Sequence, residues 1–371
     1  MGPASSGDAA RRQALLDAKL RALVRDGWGA EVGAGAASGV FPGGATLRSG
    51  GLGWVLAQDR PERCLGGSMA WAGRAGVGEL HVLVPRCSGD VARRAAAFAH
   101  PALVWDVVGR SLRPARPAPL EPEPTVPEAA LPFLDVIRAA GAEPVAEGGV
   151  LSGEVLGLEV ARVVVQGPDA WLEVGVGKHD REAQRLVHGD RSPLEALVAA
   201  VAEVRRLRVA GAMSHPANLL RPERWLRAVV LEHPGLAGAR RLVSVASTAP
   251  PGDLRSRAPA PAVGIDDDGE AVVVVCSAGI DPDLVPLAAD VRAAARAGVS
   301  PAPWTDHPWG RDGATIEDRS RRARLVVLVP TGDDHAVTRA LAAALTEPAV
   351  LRTVPAGWRG MGRAQQAPSV P

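Results

Sequence analysis

The sequence predicts a multidomain α/β protein whose mixed sheets are covered by helices. Three observations support this fold class. Short apolar strands alternate with amphipathic helices, a proline-rich stretch interrupts the chain, and a similar order of elements stands on both sides of that stretch. The 371 residues are enough for two or three hydrophobic cores.

Residues 1–111 are predicted to form the first α/β region. Leucines at helical spacing between Asp8 and Arg25 predict an N-terminal helix, and the glycine-rich residues 29–53 predict short strands with turns. Strands and helices alternate after that. The predicted strands are 53–57, 80–84 and 103–108, and the predicted helices are 61–76 and 89–99. This alternation favours a parallel or mixed sheet.

Residues 112–131 are predicted to be a semi-rigid linker. Prolines recur from Leu112 to Pro132, and each proline removes a backbone donor that a sheet or helix would need. We therefore expect Pro114 to Pro127 to be exposed, and we expect the residues after Pro132 to fold without the first region.

Residues 132–248 are predicted to form a second α/β region, with a helix at 132–140 and strands between 144 and 176. A further helix begins after Ser192, because Pro193 and Glu195 complete the pattern of a capping box. Its apolar stripe is predicted to be buried. The stripe contains Leu194, Leu197, Val198, Val201, Val204 and Leu207. A helix at 222–231 and a strand at 241–247 follow.

Residues 249–354 are predicted to form a third α/β region, and residues 355–371 a disordered tail. The predicted strands of this region are 271–276, 324–329 and 350–354, with a helix at 337–345 and another that follows Asp281. Asp266 to Gly269 is predicted to be a hairpin turn, and 298–317 a long loop.

The composition is that of a soluble globular protein, with 47% apolar and 22% charged residues. A net charge of +1 provides no bulk field for a polyanion, so any nucleic-acid site must be local. The three cysteines have no zinc-binding spacing, which favours a reducing cytoplasm. No apolar run is long enough to cross a membrane, so no membrane partner is expected.

Lys178 and Asn218 stand out because the chain has only two lysines and one asparagine. Arginine replaces lysine wherever only a charge is needed, as expected for the codon usage of a GC-rich bacterial genome. A retained lysine therefore indicates where a compact ammonium group is required. On this hypothesis, Lys178→Arg loses binding or activity, whereas Lys19→Arg is silent.

The order helix, strands, helix, strand in residues 9–108 and 132–212 resembles the core of restriction-endonuclease-like and tRNA-endonuclease-like folds. Such nucleases hold a divalent metal with an Asp on one strand and a Glu-x-Lys on the next. Glu159 and Glu173 lie on adjacent predicted strands, but Gly175 stands at the lysine position and Lys178 follows later. The resemblance therefore implies degenerate nuclease-like units, with Glu159, Glu173 and Lys178 as the catalytic candidates and a divalent metal as their cofactor.

Five further residues are candidates for ligand binding. They are polar or charged side chains that either follow the end of a predicted strand or lie at and after the single asparagine of the chain. These candidates are His179, Asp180, His188, Asn218 and Arg224. An ordinary explanation stays open for each of them. Asp180 and its neighbours fit a solvated helix start, and Asn218 fits a helix or turn cap.

Two hypotheses of different classes follow, and whether the chain is an enzyme stays open. The first is a cytoplasmic protein that binds or processes nucleic acid through degenerate nuclease-like folds. The alternative is a non-enzymatic scaffold or regulatory protein that binds a protein partner. A small-molecule hydrolase built on the third region ranks behind both.

Overall fold

The computed structural model describes residues 6–29, 36–178, 180–182, 192–209, 216–248, 257–298, 309–310 and 313–361. The α/β class is confirmed, with three sheets among these residues. The chain divides into two compact units. An N-terminal unit comprises residues 1–119, 281–290 and 335–349, and a larger unit comprises residues 120–280, 291–334 and 350–371. The predicted limits of independently folding domains stay predictions.

Most of the predicted helices and strands are present, but the sequence did not predict the strands Ser111–Pro114 and Ala260–Ile265 or the helix Gly313–Arg322. The α-helices are α1 (Ser6–Trp28), α2 (Leu65–Ala75), α3 (Ser88–Ala95), α4 (Phe133–Ala139), α5 (Pro193–Leu207), α6 (Pro222–Glu232), α7 (Leu284–Arg296), α8 (Gly313–Arg322) and α9 (Ala336–Ala344). The strands are β1 (Ala37–Phe41), β2 (Gly44–Ser49), β3 (Leu52–Ala57), β4 (Glu79–Val84), β5 (Leu103–Val108), β6 (Ser111–Pro114), β7 (Glu143–Glu147), β8 (Val150–Val155), β9 (Leu158–Gln166), β10 (Asp169–Val174), β11 (Arg241–Ser244), β12 (Ala260–Ile265), β13 (Ala271–Cys276), β14 (Arg324–Pro330) and β15 (Val350–Val354).

The N-terminal unit contains a six-stranded mixed sheet in the order β1-β2-β3-β4-β5-β6. β1, β2 and β3 form an antiparallel meander, β3, β4 and β5 are parallel, and β6 returns antiparallel to β5. The idea that the proline-rich stretch cannot join a sheet is wrong at its start. Pro114 closes β6, and an edge strand tolerates proline because it needs no donor on its outer side.

A buried carboxylate holds residues 281–290 within the N-terminal unit. Asp290 is 2% exposed and accepts hydrogen bonds from Arg93 at 3.0 Å and from Arg94 at 2.7 Å. Two guanidinium groups around one carboxylate compensate its loss of hydration. The N-terminal unit is therefore built from distant parts of the chain.

The larger unit contains an antiparallel four-stranded sheet in the order β10-β9-β8-β7. One face carries a hydrophobic core with α4 and α5, which includes Leu197, Val201 and Val204. The predicted capping box at Ser192 and Glu195 is present. The predicted stripe is too wide, however. Leu194 and Val198 are 40% and 46% exposed, because they lie on the side of α5 that turns away from the sheet.

The same unit contains a five-stranded sheet in the order β11-β12-β13-β14-β15, whose strands from β13 to β15 are parallel. β11 pairs with β12, so the predicted limit between residues 248 and 249 falls between two strands of one sheet. The predicted turn at 266–269 joins β12 to β13. The predicted loop at 298–317 is too long, because α8 begins at Gly313.

The core of the five-stranded sheet extends into the predicted disordered tail. Trp358 is 1% exposed and packs edge-on against Trp225 of α6, with 5.7 Å between the ring centroids. The prediction of a disordered tail that begins at residue 355 is therefore wrong for residues 355–361. One tryptophan buries enough apolar area to order a polar stretch.

We expect Leu197→Ala to lower the free energy of unfolding by about 2–5 kcal/mol, because the fully buried side chain leaves a cavity. Val198→Ala is the matched control on the same helix and should change it by less than about 0.5 kcal/mol. Denaturant unfolding measures both values. Equal losses in the two variants would contradict the observed orientation of α5.

Candidate functional site

The two predicted catalytic carboxylates meet at an arginine. Glu159 on β9 and Glu173 on β10 both approach Arg181, which follows β10 in a helical turn. The Arg181 guanidinium lies 3.0 Å from Glu159 Oε1 and 3.6 Å from Glu173 Oε2. Arg162 forms a second, two-pronged contact with Glu159, at 2.9 Å for each oxygen. The sheet thus brings the carboxylates together, as the order of the strands implies.

This geometry does not fit a divalent metal. Both Glu159 oxygens accept hydrogen bonds from guanidinium groups, and the Arg181 cation lies where a metal would have to bridge the two carboxylates. A metal needs those same lone pairs as ligands. Within the described ranges, no group of three His, Cys, Asp or Glu side chains has the arrangement of a metal site.

Lys178 does not join the carboxylates. Its side chain is 80% exposed, and its Nζ lies 3.9 Å from Glu182 Oε1 on the same helical turn. Asp180 lies within the helical turn itself, and its Oδ2 accepts a hydrogen bond from the main-chain amide of Val176, just before that turn, at 2.6 Å. Gly175 (φ 136°) precedes this turn, and a Cβ atom there would lie 2.8 Å from the main-chain nitrogen of Arg181. The segment is thus a tight turn that positions Arg181.

The other predicted binding residues fall into separate places. His179 and His188 lie outside the described residues. Asn218 is 1% exposed, and its Nδ2 donates to the Leu207 carbonyl at 3.0 Å, near the C-terminal end of α5. An amide in this position satisfies a helix-end carbonyl. Arg224 belongs to the buried ion network described next.

The sheet face opposite the α5 core is rich in charge. Leu151 and Val155 face the core, so Glu154 between them points to the other side, and its cross-strand partners share that side. We call this surface the charged face, defined by Glu143, Glu147, Glu154, Glu159, Arg162 and Glu173. Five of its six members are glutamates, so cations from elsewhere must balance them.

Glu154 is the central member of the charged face, and its side chain is 4% exposed. It contacts Arg224 through one oxygen and Arg227 through the other, at 3.2 Å for Arg227. Arg224 also binds Glu147. Burial acts to raise the pKa of Glu154, but the two arginines outweigh burial and lower the pKa. The carboxylate therefore stays ionised inside the protein.

Both arginines lie on α6, which contacts the two sheets with different sides. Trp225, Leu226 and Val229 are fully buried in the core of the five-stranded sheet. Arg224 and Arg227, three residues apart, share the side that meets Glu154. Sequence reasoning missed Glu154 and its pairing with Arg227. Two arginines at that spacing beside the apolar side of α6 were the available indication of a buried carboxylate.

A third arginine supports the turn beneath α6. Arg208 is fully buried, and its guanidinium donates to the carbonyls of Leu156 and Leu220 and lies 4.7 Å from the Trp225 ring centre. Burial lowers its pKa to about 9, so it is still protonated at neutral pH. Gly157 adjoins α6 so closely that a Cβ would lie 2.2 Å from the Arg224 carbonyl carbon. These contacts fix the β8–β9 turn against α6.

A cavity of about 730 Å³ opens beside this network. β7, β8, α6 and β11 contribute to its wall, together with two arginines of α4 and α5. Its charged lining consists of Arg138, Glu143, Glu154, Arg205, Arg224, Arg227 and Glu232. The volume is in the range of ligand-binding pockets.

No protein-family model, curated protein or solved structure matches the chain. Within the described part of the chain, no helix has the length and apolar character to span a bilayer. The site must therefore be interpreted from its own geometry.

We expect Glu154→Gln to lower the free energy of unfolding by about 3–5 kcal/mol, because Arg224 and Arg227 would keep their buried charge without a carboxylate. The contribution of Glu154 is present above pH 4.5, the ordinary glutamate pKa, and is lost as the pH falls through its lowered pKa. Denaturant unfolding at several pH values measures both effects.

Glu203→Gln is the control for that measurement, because Glu203 forms an exposed pair with Arg206 on α5. Removing this exposed ion pair should lower the free energy of unfolding by less than about 1 kcal/mol at any pH. A similar small loss for Glu154→Gln would show that the buried network contributes little to stability.

We expect Lys178→Arg to be silent in thermal unfolding and in every binding assay, because an exposed charge with a distant partner accepts either cation. Lys178→Ala should also be close to wild type. A selective loss of binding in both variants would restore Lys178 as a functional residue.

Proposed function

We propose that this chain is a non-enzymatic protein that binds a partner. The observation that supports the proposal is the pairing of Glu159 and Glu173 with Arg181, reinforced by Arg162 at Glu159. On this proposal, a guanidinium group replaces the metal that the nuclease resemblance implies, and the sheet serves as a binding scaffold.

Metal-dependent hydrolysis requires carboxylate oxygens that can bind the metal and a position open to water. Moving Arg181 away from Glu159 and Glu173 would leave one cation and two carboxylates without their ion pairs. Their side chains are 12%, 17% and 29% exposed, so little solvent is at hand to compensate them. These ion pairs therefore favour the scaffold hypothesis over the nuclease hypothesis.

Nucleic-acid binding without cleavage is the second candidate. The order α1-β1-β2-β3-α2-β4, with β4 parallel to β3, is the order of helix, strands, helix and strand on which the nuclease-like resemblance rests, and it supports this candidate. A net charge of +1 means that such binding would rely on local arginines. A hydrolase stays the third hypothesis. Burial raises the pKa of the Cys276 thiol to about 12, which makes this cysteine a poor nucleophile.

Incubation with single-stranded DNA, duplex DNA and RNA in the presence of Mg²⁺ or Mn²⁺ tests the proposal. We expect no cleavage, because Arg162 and Arg181 occupy both oxygens of Glu159 and Arg181 lies beside Glu173. Metal-dependent cleavage that disappears in Glu173→Gln but persists in Glu203→Gln would overturn the proposal. Salt-sensitive retention of the same nucleic acids without cleavage would favour the second candidate.

A further inference from the structure

Two unpaired sheet edges line the same cavity. β7 is the last strand of the four-stranded sheet, and β11 is the first strand of the five-stranded sheet. Glu143, Pro144 and Val145 of β7 line the cavity from one side, and Leu242, Val243 and Ser244 of β11 line it from another. Both sheets therefore end at this cleft.

The main chains of these edges have hydrogen-bonding capacity left. Alternate peptide groups of an edge strand point away from the sheet. Among the described residues, no main-chain hydrogen bond joins 143–147 or 241–244 to a strand beyond β8 and β12. The two edges come together at one end, where the Ser247 amide donates to Glu147 Oε1 at 3.4 Å. An added strand would thus meet donors and acceptors along the cleft.

The charges at the cleft favour an anionic ligand. Arg205 donates to the Gly141 carbonyl at 2.8 Å and has no carboxylate partner in the described ranges. Arg138 lies 3.8 Å from Asp135, whose side chain is 95% exposed, so this pair is weak. Glu143, Glu154 and Glu232 are the carboxylates of the lining. Glu154 is paired with Arg224 and Arg227, and burial and the nearby Glu154 raise the pKa of Glu143.

The wall also contains apolar residues that suit the side chains of an extended segment. The partly buried Leu156 and Leu231 contribute to it. An extended peptide presents alternate side chains to opposite sides, so apolar residues can meet this wall while acidic residues meet the arginines.

We propose that the cleft between β7 and β11 binds an extended acidic peptide segment of a protein partner, which pairs with one of the two edge strands. The inference rests on the proposed function and names the class of partner. Arg138 and Arg205 would contact its carboxylates, and the edge would supply main-chain hydrogen bonds.

Fluorescence anisotropy of the full chain with a labelled peptide of about six alternating Glu and Val residues tests the inference. We expect saturable binding, and we expect the same peptide with N-methyl groups at alternate amides, or with Lys in place of Glu, to bind at least about tenfold more weakly. Hydrogen exchange should slow within 143–147 or 241–244 when the peptide is bound.

Variants on the arginines locate the site. Arg138→Glu combined with Arg205→Glu should weaken binding about tenfold or more. Arg206→Glu is the matched control, because Arg206 neighbours Arg205 on α5 but does not line the cavity and is 68% exposed. Thermal unfolding verifies that each variant is folded.

Three results would overturn the inference. The first is that the acidic peptide does not bind. The second is that Arg206→Glu weakens binding as much as the combined change at Arg138 and Arg205. The third is that the N-methylated peptide binds as tightly as the unmodified peptide. N-acetylglutamate that binds in the cleft when the peptide does not would make it a small-molecule site instead. The cleavage assay reports on the proposed function separately, so a protein that neither cleaves nor binds the peptide loses only this inference.

Discussion

The larger unit depends on the Glu154 carboxylate and its two arginines. A buried charge has to be neutralised where it lies, since its hydration is lost on folding. Arg224 and Arg227 provide that neutralisation from α6, whose apolar side belongs to the core of the other sheet. One carboxylate therefore ties the four-stranded sheet to the five-stranded sheet. Hydrophobic burial stabilises each sheet by itself, but the ion network determines how they meet.

The cleft is a consequence of that junction. α6 joins the sheets at Glu154, while the edge strands β7 and β11 end beside it without pairing with each other. Exposed edges invite unwanted association, and proteins usually cover or interrupt them. Pro144 removes one donor from β7, which is a partial interruption. The β11 edge has no proline, so the cleft retains a surface on which another strand can pair.

Local patterns predicted much of the fold, because they report periodicity and caps. The strands at 271–276 and 324–329 and the capping box at Ser192 lie as predicted. Long-range partners could not be predicted in this way. Glu154 and Arg224 are 70 positions apart, and nothing in the sequence around Arg224 indicates that Glu154 is its partner. The convergence of Glu159 and Glu173 followed from strand order, but the arginine between them did not.

A rare residue type marked a structurally constrained position only where its side chain is buried. Asn218 and Lys178 are both rare in this chain, yet Asn218 is 1% exposed and bonded to a helix end, whereas the Lys178 side chain is 80% exposed. A buried amide has a donor and an acceptor that few other side chains can reproduce. An exposed ammonium can be replaced by any cation. Codon bias therefore leaves buried polar groups in place, and the buried ion pairs around Glu154 are formed by residue types that are abundant in this chain.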